Sequence, residues 1–97
     1  MLTNPQKKQL KALANTLEIK YQVGKFGITD TVIETLDKGL EAHELIKVNV
    51  MKALETPIME VALDLSSKLH AEIVQVLGRS IILFRINKEH NKIKLVK

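Results

Sequence analysis

The chain has 97 residues, of which 45% are hydrophobic and 27% charged, and it contains no cysteine. A chain of this length closes one modest hydrophobic core, so we predict a single domain over residues 1–97. Without cysteine, disulfides, thiolate zinc sites and cysteine nucleophiles are excluded. No apolar run approaches the roughly 20 residues that cross a bilayer, and the N-terminus lacks the pattern of a signal segment. We therefore expect a cytoplasmic protein with no membrane partner.

The formal net charge of +4 is unevenly distributed along the chain. Residues 1–25 carry a net +4, residues 26–67 a net −5 and residues 68–97 a net +5. A protein that needed only solubility would intersperse the two signs. The segregation therefore predicts a basic face and an acidic back, provided that the two ends of the chain meet in space.

The first helix is predicted to begin with Asn4 as the N-cap and Pro5 in the first turn, where a missing N–H costs nothing. Three leucines recur at helical spacing and form its apolar stripe: Leu10, Leu13 and Leu17. Three lysines lie largely off that stripe: Lys7, Lys8 and Lys11. Residues 18–23 then alternate as a short strand does, with one side formed by Ile19, Tyr21 and Val23.

A glycine loop, Gly24-Lys25-Phe26-Gly27, separates this strand from a second helix that is predicted to end near His43. The apolar stripe of that helix consists of Val32, Ile33, Leu36 and Leu40. Its other positions carry four acids: Asp30, Glu34, Asp37 and Glu41. The region therefore reads as strand, glycine loop and helix.

A second strand is predicted over residues 44–50, with Ile46, Val48 and Val50 toward the core. Thr56 and Pro57 suggest the start of a third helix that ends near His70 and buries Ile58, Val61, Ala62, Leu65 and Leu69. Strands over residues 72–77 and 80–86 are joined by a turn at Gly78-Arg79. Residues 87–97 are predicted to form a basic tail that is either loose or partly paired through Ile93 and Leu95. The fold class is α/β, an α-β-α-β-α-β-β sandwich with a four-stranded mixed sheet.

The glycine loop is the strongest candidate for a binding site. Glycines let backbone N–H groups approach a phosphate closely, a helix N-terminus adds partial positive charge, and Lys25 adds a full charge. G-x-x-G alone is a weak pattern, and a simple turn with positive φ is the alternative explanation. The P-loop and dinucleotide fingerprints are absent. The loop therefore suits a polynucleotide backbone better than ATP, as in KH domains.

Aromatic residues make up only 3% of the chain, which excludes the aromatic-lined sheets that stack bases. Phe26 could stack on a base, but we expect its ring to pack and anchor the loop, and we place Tyr21 and Phe84 in the core. The three histidines lack ligand spacing: His43, His70 and His90. No Ser/His/Asp grouping is visible. We predict no enzyme activity, no metal and no cofactor.

Four segments follow one another along nearly the whole chain: QKKQLKALA, VGKFGIT, GLEAHELIKV and VQVLGRSIILFR. Together they resemble one known family, the CRM (CRS1/YhbY) RNA-binding domain, and especially its stand-alone bacterial YhbY-like members. The resemblance implies the same element order and a shape similar to the C-terminal domain of bacterial translation initiation factor three. One departure is that the glycine loop holds one basic residue, not two.

The resemblance also implies RNA binding through the glycine loop and the neighbouring basic surface, and association with ribosomal RNA in precursors of the large ribosomal subunit. The predicted RNA-binding residues are Gly24, Lys25, Phe26, Gly27, Lys7, Lys8, Lys11, Arg79 and Arg85. We expect a monomer, since no heptad seam is present. The alternative function is a non-enzymatic adaptor that docks other proteins through a charged face.

Overall fold

The computed structural model of the chain describes residues 2–18, 21–87, 89 and 93–96. Within these residues the elements are, in chain order, α1 (Asn4–Ala14), β1 (Tyr21–Val23), α2 (Asp30–His43), β2 (Leu45–Val50), α3 (Ile58–Leu69), β3 (Glu72–Leu77) and β4 (Ser80–Phe84). This is the element order predicted from the sequence. The fold is an α/β sandwich with a four-stranded mixed sheet, as expected.

The strands form one sheet in the order β1-β2-β4-β3. β1 lies parallel to β2, with Val23 opposite Val50, whereas β4 runs antiparallel to both of its neighbours. Leu45, at the start of β2, lies opposite Phe84, at the end of β4. The last residues of β1 and β2 therefore lie at the same end of the sheet as the β3–β4 turn, and we call this the loop end.

Helices cover both faces of the sheet. The side chains of α2 and α3 form the larger core cluster on one face, and Ile46, Val48 and Val50 of β2 enter it as predicted. Because side chains alternate along a strand, Leu45 points to the other face. There it joins a second cluster whose other buried members are Leu2, Leu10, Ala14, Val74, Ile82 and Phe84. Ile93 and Leu95 of the tail pack against this cluster with their side chains, whereas residues 93–96 lie outside any strand, so the contact is apolar packing and not strand pairing.

The predicted apolar stripes of α2 and α3 face the larger cluster. Their fully buried members are Leu36, Leu40, Val61, Ala62, Leu65 and Leu69, and their half-buried members are Val32, Ile33 and Ile58. The stripe predicted for α1 is wrong at Leu13, which is 39% exposed, while Ala14 is fully buried beside the sheet. The small Ala14 side chain lets the helix approach the strands closely. Leu17 follows the end of α1 but still packs against the second cluster.

The N-caps of α1 and α3 each differ by one residue from the prediction. The N-cap of α1 is Thr3, not Asn4: its hydroxyl accepts a hydrogen bond from the Gln6 N–H (3.2 Å). The Gln6 side-chain oxygen accepts one from the Thr3 N–H in return (2.9 Å). This reciprocal capping box provides an acceptor for the N–H groups of both Thr3 and Gln6. The N-cap of α3 is Pro57 rather than Thr56.

Strand ends also differ from the prediction. In the described residues, β1 begins at Tyr21; Ile19 lies outside them. The last strand ends at Phe84, and Ile86 is half exposed rather than paired. Glu44, predicted as the first residue of a strand, instead ends α2 with a φ of 64°. The chain reverses direction at this residue and enters β2 with Leu45.

Candidate nucleic-acid interface

The glycine loop joins β1 to α2 at the loop end of the sheet. The N–H of Gly27 donates a hydrogen bond to the carbonyl oxygen of Gly24 (3.0 Å), which closes residues 24–27 into a tight turn. Of these two glycines, Gly27 has a positive φ, 75°, a conformation that other residues adopt at a cost. The turn therefore requires glycine at position 27 for its backbone shape.

The N-terminus of α2 is less available to a phosphate than the sequence suggested. The hydroxyl of Thr29 caps it by accepting a hydrogen bond from the Val32 N–H (3.2 Å). Asp30, in the first turn, places a carboxylate where an incoming anion would be repelled. The turn itself, rather than the helix end, is the part of this region suited to hold a phosphate.

Lys25 and Phe26 occupy the centre of the turn, and both are exposed. The Phe26 ring is 82% exposed, and the Lys25 ammonium nitrogen lies 5.2 Å from its centroid. The expectation that Phe26 packs to anchor the loop is wrong, because its ring belongs to neither core cluster. The shape of the turn depends instead on its own hydrogen bond and on the backbone beside it.

Arg79, in the β3–β4 turn, fixes that neighbouring backbone. Its Nε donates to the carbonyl of Val50 (2.8 Å), and its Nη2 donates to the carbonyls of Met51 (2.7 Å) and Leu54 (3.4 Å). Residues 50–54 lie against the glycine turn: the N–H of Met51 donates to the carbonyl of Val23, and a Cβ on Gly24 would lie 3.7 Å from the Met51 sulfur. The structure thus places Arg79 at the loop end, with its Nε and Nη2 donors engaged by the protein.

Arg85 lies at the opposite end of the sheet, after β4. Its guanidinium donates to the Asp37 carboxylate (2.8 Å), to the Leu69 carbonyl (2.9 Å) and more distantly to Glu41 (3.4 Å). Only 18% of its side chain is exposed. These contacts tie the end of β4 to α2 and α3, on the acidic side of the molecule. Sequence reasoning grouped Arg85 with Arg79, but the strand between them carries the two to opposite ends.

The two basic ends of the chain meet, as the charge pattern required. The side-chain amide of Gln6 donates to the Val96 carbonyl (2.9 Å). The Gln9 side chain bonds both to the Lys94 carbonyl (2.6 Å) and to the Val96 N–H (2.8 Å). The tail therefore lies along α1. Of the three α1 lysines, Lys8 and Lys11 are exposed and Lys7 is half-buried.

Lys47 joins these α1 lysines on the same face of the sheet. It alternates with Ile46 and Val48 along β2 and lies opposite Ile82, a member of the cluster beneath α1. It is half-buried. Sequence reasoning counted Lys47 within the acidic stretch of the chain and missed it. The alternation of β2 was the signal that could have found it, because a residue between two core positions must point to the other face.

The acids of α2 lie on the opposite side of the sheet from α1. All four predicted members are exposed: Asp30, Glu34, Asp37 and Glu41. Glu34 pairs with Lys38 (3.6 Å) one turn later. A basic α1 side and an acidic α2 side are therefore separated by the sheet. The prediction is wrong for Lys68 and Arg85, which belong to the basic C-terminal stretch of the chain but lie with α2 and α3.

Neither a metal cluster nor a membrane-crossing helix was found in the described part of the chain. Within it, no three His, Cys, Asp or Glu side chains are grouped to hold a metal ion. No helix there has the length and apolar character needed to span a bilayer. His43 ends α2 and His70 caps α3 in a left-handed conformation, whereas His90 lies outside the described residues.

The element order and the four-stranded mixed sheet, with a glycine turn between β1 and α2, define a small α/β domain. The chain belongs to the CRS1/YhbY (CRM) domain family, whose model matches residues 2–85. This match spans all seven elements.

Proteins from several bacteria are similar over nearly the full length. "Probable RNA-binding protein YqeI" of Bacillus subtilis (strain 168) is 39% identical over 95 residues, which cover 98% of this chain and 99% of that protein. "Probable RNA-binding protein PA4753" of Pseudomonas aeruginosa is 32% identical over 91 residues, covering 94% and 88%. The solution structure of SAV1595 from Staphylococcus aureus, a hypothetical protein described as a candidate RNA binder, superimposes with a TM-score of 0.83 at 40% identity. The superposition covers 99% of this chain and 100% of the SAV1595 chain.

Proposed function

We propose that this protein binds RNA and holds its sugar-phosphate backbone with the Gly24–Gly27 turn and the basic α1 side. The observation that carries the proposal is the position of Lys25, exposed at the centre of a turn that is closed by its own hydrogen bond. A lysine on a preformed turn meets a phosphate without the cost of ordering the backbone that carries it. The names of the YqeI and PA4753 relatives, both described as probable RNA-binding proteins, support the same function.

The basic α1 side extends this contact. Lys8 and Lys11 on α1, with Lys47 on the same face of the sheet, provide positive charge away from the turn. Phosphate contacts of this kind position a nucleic acid without reading its sequence. We expect about four to six phosphate contacts, hence a fall of log affinity against log salt concentration with a slope of about −3 to −5.

We further propose that the RNA is ribosomal RNA in a precursor of the large ribosomal subunit, and that the protein acts there as a cytoplasmic, non-enzymatic monomer. Membership of the CRM family and the resemblance to stand-alone YhbY-like proteins support this part of the proposal.

Gly24 offers a direct test of the turn. It has no positive φ, and an added Cβ would make an ordinary contact with Met51, so a side chain can be introduced there without strain. We expect Gly24→Asp to weaken RNA binding by about tenfold or more through repulsion of the phosphate, and the neutral Gly24→Asn to weaken it much less. Fluorescence anisotropy with a labelled RNA measures both. Equal affinity for the two variants would show that no phosphate lies at the turn.

In-cell ultraviolet cross-linking of the tagged protein, followed by sequencing of the recovered RNA, tests the ribosomal assignment. Enrichment of precursor large-subunit RNA is the expected result. Enrichment of other RNA would support RNA binding but contradict the ribosomal assignment. Recovery no better than that of an untagged control would favour a protein-docking adaptor instead.

A further inference from the structure

The ring of Phe26 is the most exposed large apolar side chain in the described part of the chain, at 82%. A single exposed apolar residue is ordinary on a protein surface. This one, however, stands at the centre of a turn closed by the Gly24–Gly27 hydrogen bond, so the backbone presents the ring to solvent in a defined place. The turn is also the candidate RNA-binding element. The ring is therefore available to a ligand rather than to the core.

The surroundings of the ring combine apolar and positively charged groups. Met51, 43% exposed, lies beside Gly24, and Leu54 lies beside Gly27. Lys25 places its ammonium nitrogen over one face of the Phe26 ring, 5.2 Å from the centroid, so the opposite face is the one open to a base. An aromatic face next to a cation matches a nucleotide, which offers a flat base and a phosphate joined by a sugar.

Arg79 makes this surface rigid. Its hydrogen bonds to the Met51 and Leu54 carbonyls hold the segment on which the turn rests. A ligand that stacks on Phe26 therefore does not have to order the backbone that carries the ring.

We infer that Phe26 stacks on an unpaired base, so that the RNA segment held at the glycine turn is single-stranded. This inference rests on the proposed function. Inside a duplex both faces of each base are already stacked on neighbours, and an exposed ring gains no contact with them. A loop, bulge or single-stranded end offers a free base face, and its neighbouring phosphate lies within reach of Lys25.

The test uses a short single-stranded RNA with one 2-aminopurine and the same strand annealed to its complement. With the unmodified protein we expect quenching of 2-aminopurine in the single strand and tighter binding of the single strand than of the duplex. Phe26→Leu keeps an apolar side chain but lacks the aromatic face. It should abolish the quenching and weaken single-strand binding by about tenfold, while duplex binding is unchanged.

Phe26→Tyr is the matched control and should retain both the quenching and the affinity, because its aromatic face is preserved. An exposed position makes unfolding by either variant unexpected, and a thermal melt verifies this. Unchanged single-strand affinity in Phe26→Leu, or equal weakening for single strand and duplex, would overturn the stacking inference while leaving RNA binding intact. Failure of the unmodified protein to bind either RNA would instead reject the proposed function itself.

Discussion

The carboxylate of Glu44 holds the backbone of Asn87: its Oε2 accepts a hydrogen bond from the Asn87 N–H at 2.8 Å. Its Oε1 accepts another from the Ile93 N–H, also at 2.8 Å. Glu44 has no solvent exposure and sits at the end of α2 with a positive φ. A buried carboxylate is tolerated only when such donors replace water. Glu44 therefore joins α2 to the chain that follows β4 and directs the tail toward α1.

Replacement of this carboxylate should loosen the tail. In Glu44→Gln the side-chain amide presents an NH₂ group to one of the two backbone N–H donors, which then has no acceptor. We expect the free energy of unfolding to fall by about 1–3 kcal/mol. Amide hydrogen exchange at Ile93 should become faster. Urea denaturation and exchange measured by NMR provide the two readouts.

Glu34→Gln is the control for this variant, since Glu34 makes only an exposed pair with Lys38 among the described contacts of its side chain. We expect that change to cost less than about 0.5 kcal/mol. If both variants fell equally in stability, the buried carboxylate would have no special role in holding the tail.

The importance of Glu44 was not visible in the sequence. A glutamate that follows an amphipathic helix with four other acids looks like an ordinary exposed residue. Its burial depends on the tail returning across the sheet, a contact between residues more than forty positions apart. The apolar periodicities, by contrast, are local, and they correctly predicted the element order and the packing of α2, α3 and β2.

In the candidate site, too, local features were predicted and long-range contacts were not. The glycine turn was predicted because its residues are adjacent. The distribution of charge predicted a basic face on the condition that the two ends meet, and the contacts of Gln6 and Gln9 with the tail meet that condition. The contacts of Arg79 and Arg85 could not be predicted, because they depend on which end of β4 faces which loop. Lys47 was missed for a different reason. Its charge was added to that of its acidic neighbours in sequence, although the alternation of β2 places its side chain on the α1 face of the sheet.

Arg79→Lys should weaken the base of the glycine turn. Lysine keeps the charge but cannot reproduce the fork that reaches the Val50, Met51 and Leu54 carbonyls. We expect a decrease of about 1–2 kcal/mol in the free energy of unfolding. The Leu54 amide, which donates to the Met51 carbonyl at 3.0 Å, should exchange faster.

Lys52→Gln, at an exposed position in the same segment, is the control for Arg79→Lys and should leave the Leu54 exchange rate unchanged. Slow exchange at Leu54 in Arg79→Lys would show that the segment keeps its conformation without the guanidinium.

Arg85→Gln should separate stability from RNA binding. The guanidinium contacts Asp37 and the Leu69 carbonyl and is mostly buried, so its removal leaves these groups without a donor. We expect the free energy of unfolding to fall by about 1–3 kcal/mol. RNA affinity, measured by anisotropy at a temperature where both proteins are folded, should be unchanged. A marked fall in affinity would show that Arg85 contributes to RNA binding.

Two exposed lysines of α1 should contribute to binding through charge alone. Lys8→Gln/Lys11→Gln removes them from the basic side, and Lys38→Gln/Lys68→Gln removes two exposed lysines from α2 and α3 on the acidic side. Both double variants lower the net charge equally.

If the α1 side binds phosphates, the Lys8→Gln/Lys11→Gln variant should weaken the binding of all RNAs to a similar degree. It should also make the salt slope shallower by about 0.7 for each phosphate no longer neutralised. The second should have a much smaller effect, and equal effects would mean that net charge, rather than the α1 surface, governs binding.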